Sequence, residues 1–329
     1  MSRHAVGQLM APLVAGLVVL VALLGLIGTA IRDPKPHDIA VGVVGPAPAA
    51  DQITGALSSK APGVFAFTTY DSEDAARAAL DNRSIDGAVV LGPTPKIIVA
   101  GAAGDAITSV ITTVFGSALA GEGGPVPVEV VHPFAAGDAH GLVLFFLVLA
   151  TLISALVVQV LLAVRARDRN VTAWLGVTAV WAVLAGVTGA VVADWIADWP
   201  FDVAAVVPMA ALLTLASLAI GTVIAGTARL LGRGGLGLAA LVVVLLDLIA
   251  SGGPAGSQFL PDAYRWMAPW MPAGQLFGAL RGALYFEGQG VGTPQLVLVG
   301  WLAAGLILIT LSAGLQRRAA PKPAVAPAH

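Results

Sequence analysis

The chain has 329 residues, of which 57% are hydrophobic and 11% charged, with a mean hydropathy of +0.89. A soluble domain carries about 25% charged residues, so much of this chain is read as never meeting water. It holds no cysteine, which excludes disulfides, thiolate metal sites and a cysteine nucleophile, and its formal net charge of -2 is informative only through its distribution.

A membrane helix needs about 20 apolar residues to cross roughly 30 Å of hydrocarbon. The first candidate, Ala11 to Ile31, contains no charge. Gly28-Thr29-Ala30 is a small-x-small sequence, but a signal-peptide core is about 7–15 residues and this one is longer. An uncleaved anchor over residues 1–31 is therefore expected.

From Arg32 to about His140 the hydropathy falls, and the pattern is that of a small mixed α/β domain. Ile39 to Val44 is a buried-strand pattern ending at Gly45-Pro46, Asp51 to Ala61 reads as a helix, and Val64 to Tyr70 as a second strand. Asp71 is expected to cap a helix with Asp74 at its third position, acids being favoured at the positive end of the helix dipole. Ile85 to Leu91 and Lys96 to Gly101 are strands around a Gly92-Pro93 turn. Asp105 is expected to cap a helix reaching Leu119, Gly121 to Pro125 to end it, and Val126 to Val131 to form the last strand. The order is β-α-β-α-β-β-α-β. His37, His132 and His140 lie at the edges of this domain, with no catalytic serine context and no metal spacing. Asp71, Glu73 and Asp74 read as a solvated helix start rather than a cation site.

Residues 141–316 carry the remaining spans: Gly141 to Val164, Val171 to Ala193, Val203 to Ala228, a short fifth at Leu236 to Ala250, and Leu296 to Leu315. At about 1.5 Å per residue the fifth reaches only about 22 Å. Small residues share faces at Ala182, Gly186 and Ala190 and at Ser217, Gly221 and Ala225, which predicts close helix packing. Gln159 and Asp247 are polar groups at membrane depth, and such groups are often functional. Asp247 is also near enough to the end of its span to reach interfacial water.

Between the last two spans, residues 251–288 are unlike a plain loop. Gly252, Gly253, Pro254, Pro261, Pro269 and Pro272 break the backbone, Trp266 and Trp270 suit the membrane interface, and Ala273 to Tyr285 is helical in pattern. Gly274, Gly278 and Gly282 form a stripe at spacing four that permits close helix contact. A re-entrant or interfacial hairpin is expected. Residues 317–329 form a basic tail.

The charges orient the spans. One face gathers nine of the 17 basic residues, among them Arg165, Arg167, Arg169, Arg229, Arg233, Arg317 and Arg318, against a single acid, Asp168. The other face takes 17 of the 19 acids. The positive-inside rule then gives about six transmembrane helices in the plasma membrane, both termini cytoplasmic and residues 32–140 outside.

This layout resembles the ABC-2 type permease superfamily, and within it the phage-infection-protein (Pip/YhgE-like) permeases. Two stretches carry the likeness: Tyr70-Asp-Ser-Glu-Asp-Ala-Ala-Arg-Ala-Ala-Leu80 with Ile85-Asp-Gly-Ala-Val-Val-Leu91, and Ser251-Gly-Gly-Pro254, Leu260-Pro261, Trp270-Met-Pro272 and Leu280-Arg281-Gly-Ala-Leu-Tyr-Phe286. The resemblance implies the membrane subunit of an exporter that works as a dimer, with the ATPase on a separate chain. No G-x-x-x-x-G-K-[ST] sequence occurs here. Docking of that ATPase would fall to the short basic loops at Arg165–Asn170 and Arg229–Gly235, since only about ten residues precede the first span. The rival reading is a receptor or envelope scaffold whose outside domain binds a partner. An intramembrane enzyme is disfavoured by the lack of paired acids or a Ser/His set in the spans. The partners expected are the lipid bilayer, a second subunit and the ATPase; no cofactor, metal or nucleic acid is expected.

Overall fold

Alternating β-branched runs and capped polar helices leave the chain after α1 (Arg3–Ile31) little choice but a layered α/β unit. The computed structural model, which describes residues 3–120, 124–165, 170–199 and 203–319, folds it in the order read from the sequence. β1 (Ile39–Val44), β2 (Phe65–Tyr70), β3 (Gly87–Val90), β4 (Lys96–Ala100) and β5 (Val128–Val131) alternate with α2 (Ala47–Lys60), α3 (Glu73–Asp81) and α4 (Asp105–Leu119). The sheet order is β2-β1-β3-β4-β5, parallel except for the β3–β4 hairpin, in which Gly87 pairs with Val99 and Val90 with Lys96. β1, β3 and β4 are buried almost throughout, as central strands covered on both faces are. Edge strands β2 and β5 alternate between half-buried and exposed. On one face Ile39, Val41, Val89 and Ile97 pack with Ile107, Ile111 and Phe115 of α4. On the other, Ala76, Ala79 and Leu80 of α3 join a core that runs on into the long helices.

Three local expectations are corrected. The N-cap of α3 is Ser72, not Asp71: Ser72 has the extended backbone, and its Oγ accepts from the Ala75 N–H at 3.2 Å. Gly104, with φ at 122°, is the N-cap of α4, which leaves Asp105 in the first turn to pair with His140. β5 starts at Val128 rather than Val126. Most of the expected stop at Gly121 to Pro125 lies outside the described residues.

Among the described residues, four helices are long and apolar enough to cross a membrane: α5 (Leu142–Arg165), α6 (Val171–Ala197), the Ala205–Gly232 part of α7 (Val203–Ala239), and the Gly292–Gln316 part of α11 (Gly292–Ala319). Gly16–Ala30 within α1 and Gly234–Ala250 are shorter apolar helices. α6 outruns its expected end, so Asp194 falls in its last turn. α7 is the hub, with 61% of its apolar window buried against 33% for α5 and 22% for α6 and α11. Small residues make this possible. A Cβ on Gly186 of α6 would meet Thr214 Oγ1 and the Ala210 carbonyl, and one on Gly305 of α11 would meet Thr222. Both small-residue stripes read from the sequence are buried and serve helix packing within the chain.

The chain breaks at Gly232 (φ 63°), and a π-helical stretch, Ala240–Leu246, then feeds the short α8 (Asp247–Ala250). Gly252 and Gly253, both at positive φ, reverse the chain. A side chain on Gly252 would occupy the space of the Gly256 carbonyl. α9 (Asp262–Met267) and α10 (Pro272–Tyr285) follow. α10 packs on α5, α7, α8 and α11 and buries Leu276, Leu280 and Leu284. Residues 251–285 thus form a broken helical return seated on the bundle.

Candidate functional site

The return from α8 to α10 depends on one carboxylate. α10 begins at Pro272, where the missing N–H is harmless, but its next N–H groups need acceptors in a buried place. Asp247 supplies one: its Oδ1 accepts from the Ala273 N–H at 2.8 Å, and the residue is fully buried. The expectation that Asp247 reaches interfacial water is therefore replaced by a helix-capping role. Its partner lies 26 residues on, beyond the reach of local sequence patterns. A π-helical stretch, Ala240–Leu246, immediately precedes Asp247. Ser251 fixes the same corner, with its Oγ donating to the Leu248 carbonyl and accepting from the Gly253 N–H.

Two arginines join the hairpin to the α/β unit. Arg83, in the turn after α3, donates from Nη1 to the Gly278 carbonyl at 2.9 Å and lies 5.1 Å from the Phe286 ring. Arg281 of α10 reaches the opposite way. Its Nη1 donates to the Ala103 carbonyl at 2.8 Å, and its guanidinium stacks 4.2 Å from the Phe277 ring. Arg281 is only 7% exposed, and its Nε and Nη2 have no hydrogen-bond partner among the described residues. Neither arginine has a carboxylate within 4.0 Å among the described residues. Burial, with Arg83 adding its like charge, pulls the Arg281 pKa down to about 10, and burial lowers Arg83 as well.

Between them lies a cavity of about 220 Å³, lined by Arg83, Asp86, Gln258, Arg281 and Phe286 among others. Asp86 is held by the Ala40 N–H at 3.2 Å, and burial raises its carboxyl above the usual range. Gly104 packs beside Arg281. A Cβ there would come within 3.3 Å of both Arg281 Nη2 and the Pro254 carbonyl. Further contacts hold the hairpin in place. Arg265 pairs with Asp38 at 2.8 Å, Tyr264 Oη donates to the Leu26 carbonyl of α1 at 3.0 Å, and the Gln258 carbonyl accepts from the His37 N–H at 3.0 Å.

The glycine stripe divides. A Cβ on Gly274 would lie 3.3 Å from Ser251 Cα, and one on Gly282 would run into the Gln289 carbonyl, but Gly278 faces nothing within 4 Å. The stripe thus fits α10 to its own hairpin, not to another long helix, and Gly278 matters through its carbonyl, which Arg83 grips.

Gln159 of α5 is fully buried and knits α5 to α6. Its Oε1 accepts from Trp174 Nε1 at 2.7 Å, and its Nε2 donates to Thr178 Oγ1 at 3.0 Å. At the same end of the bundle, remote from the sheet, Arg229 stacks 5.4 Å from the Trp174 ring and reaches Gln316 at 3.4 Å. Arg165 is exposed at the end of α5, while Arg167 and Arg169 lie outside the described residues. An apolar groove of about 670 Å³ runs along α11 beside the hairpin, lined by Val223, Met271, Leu296, Val297, Trp301 and Leu308 among others.

Among the acids of the α/β unit, Glu73 is committed to Lys96 at 2.7 Å and Arg77 at 2.8 Å, and Glu129 to Arg77 at 2.5 Å. No cluster of three or more metal-ligating side chains occurs among the described residues. The Arg83–Arg281 junction was the part that the sequence concealed: the motif containing Arg281 drew notice, but nothing local named Arg83 as its counterpart. No family model, curated protein or solved structure matches this chain.

Proposed function

We propose that this chain is the membrane-spanning subunit of an ABC-2 type exporter, moving an apolar or amphipathic substrate outward as a dimer, with ATP hydrolysed on a separate polypeptide. In this reading α1 and Gly234–Ala250 cross the membrane beside the four longer helices. The α/β unit is outside, and both termini are cytoplasmic. The observation that carries it is the broken hairpin at 251–285, seated on α5, α7 and α11 and tied through Arg83 and Arg281 to the α/β unit. Broken backbone at membrane depth is tolerated where protein or a watery cavity surrounds it. A hairpin gripped from both sides can pass movement between the bundle and the domain above it. Arg165 and Arg229, at the end away from the sheet, agree with the positive-inside rule. The apolar groove along α11 suits a substrate with an acyl or similarly greasy part.

The test is affinity purification of the tagged full chain in mild detergent. A P-loop ATPase that co-purifies in fixed ratio, with two copies of this chain per complex, is the expected outcome. Recovery of envelope or surface proteins bound through the α/β unit, with no ATPase, would replace the exporter by a receptor or scaffold.

A further inference from the structure

Burying a guanidinium without an anionic partner is costly, because the charge loses its hydration and gains nothing equivalent. The junction described above holds one such group, Arg281, beside a half-buried second guanidinium, Arg83. Arg281 is 7% exposed, with Nε and Nη2 unpartnered. Arg83 lines the same cavity and spends Nη1 on backbone carbonyls. Stacking on Phe277 and Phe286 orients both planes without neutralising them. Three acids stand nearby and act on Arg281 through space, but none pairs with either arginine within 4.0 Å. Asp86 binds the Ala40 N–H, Asp105 pairs with His140, and Asp138 Oδ1 accepts from the Val143 N–H. Asp138 Oδ2 is buried and has no hydrogen-bond partner among the described residues. Of these only Asp86 lines the cavity, so in its wall two positive side chains stand against one carboxylate, with Asp105 and Asp138 acting on Arg281 from outside it. At about 220 Å³ the space is smaller than the roughly 300–1,000 Å³ of a typical metabolite site. It has room for a compact oxyanion and a few waters, each water taking about 30 Å³. A planar guanidinium with two free N–H edges suits the oxygens of such a group.

We propose that the cavity framed by Arg83, Gln258 and Arg281 binds a phosphate-class oxyanion, which joins the α/β unit to the hairpin by bridging the two arginines. The oxyanion is either free phosphate or the headgroup of an anionic phospholipid at the membrane surface. The site does not depend on the exporter reading, since it requires only that the two arginines stand where they do.

The test uses the purified full chain in phosphate-free detergent, titrated calorimetrically with sodium phosphate. In parallel, native mass spectrometry follows the chain released from vesicles of equal phosphatidylglycerol and phosphatidylcholine. If free phosphate is the ligand, one site per chain is expected, weakened about tenfold or more by Arg281→Gln, or about 1.4 kcal/mol. Asp86→Asn should tighten it several-fold, because the opposing carboxylate is removed while an acceptor for Ala40 remains. If the headgroup is the ligand, phosphate gives no heat, but phosphatidylglycerol stays bound to the native chain and is lost from Arg281→Gln. Should Arg281→Gln not fold, Arg83→Gln and Asp86→Asn decide with opposite expected signs. The proposal is overturned if neither ligand binds, or if binding is unchanged in Arg281→Gln or in both of the other variants.

Discussion

Gly278 and Gly282 stand one helical turn apart on α10, and alanine at these two positions should act in opposite directions. At Gly278 a Cβ meets nothing within 4 Å. Gly278→Ala therefore collects the helix-propensity difference, about 0.8–1 kcal/mol, with no steric opposition. At Gly282 the same methyl enters the space of the Gln289 carbonyl, and Arg83 Nη1 and Val291 Cγ2 each lie 2.9 Å from it. The obstacle is backbone. The Gly288 N–H donates to the Gly282 carbonyl at 2.8 Å, and the Gln289 N–H to the Phe286 carbonyl at 2.8 Å. Relief therefore means opening that turn and loosening Arg83. Overpacking of this kind costs about 1–3 kcal/mol, which outweighs the propensity gain. The two variants should differ by about 1–3 kcal/mol, Gly278→Ala above the native chain and Gly282→Ala below it. Thermal unfolding in detergent, followed by tryptophan fluorescence at one fixed scan rate, reads the order of the apparent Tm values. A Gly278→Ala variant less stable than Gly282→Ala would refute the reasoning.

Two further perturbations probe the buried polar groups. Asp247→Ala leaves the Ala273 N–H without its buried acceptor and should cost about 1–3 kcal/mol, whereas Asp247→Asn keeps an acceptor and should recover most of the loss in the same unfolding assay; equal losses would show that capping is not what Asp247 does. Gln159→Leu strands the Trp174 indole N–H between α5 and α6 and should cost a similar amount, about 1–3 kcal/mol, together with a change in tryptophan emission; an unchanged apparent Tm would mean that the knot is dispensable.

What the sequence disclosed, and what it hid, follows from the range of each signal. The β-α-β-α-β-β-α-β order was legible because alternation, turns and caps act over a few residues. The four long apolar helices were legible because about 20 apolar residues in a row are hard to mistake. Ser72 against Asp71 was a choice between neighbours of equal capping chemistry, settled by which one takes the extended backbone. Asp247 was singled out for its depth, but its partner sits across a turn on another helix. Gln159 likewise carried no local sign that Trp174 and Thr178, one turn apart on α6, would present an indole N–H and a hydroxyl to it. Arg83 and Gly278 are 195 residues apart. Such a pairing is a product of the fold, and single-sequence periodicity holds no record of it.

The account rests on a multi-pass chain with the α/β unit on one side of the membrane and the Arg165–Arg229 end on the other. The absence of native cysteine makes that directly measurable. Thr94, in the exposed β3–β4 turn, and Arg165, exposed at the end of α5, are each replaced by cysteine in separate full-length variants. Intact cells are then treated with a membrane-impermeant maleimide before and after permeabilisation. Labelling of Thr94→Cys in intact cells, and of Arg165→Cys only after permeabilisation, is the predicted result. Labelling of both from the same side, or Thr94→Cys reached only from the cytoplasm, would contradict it.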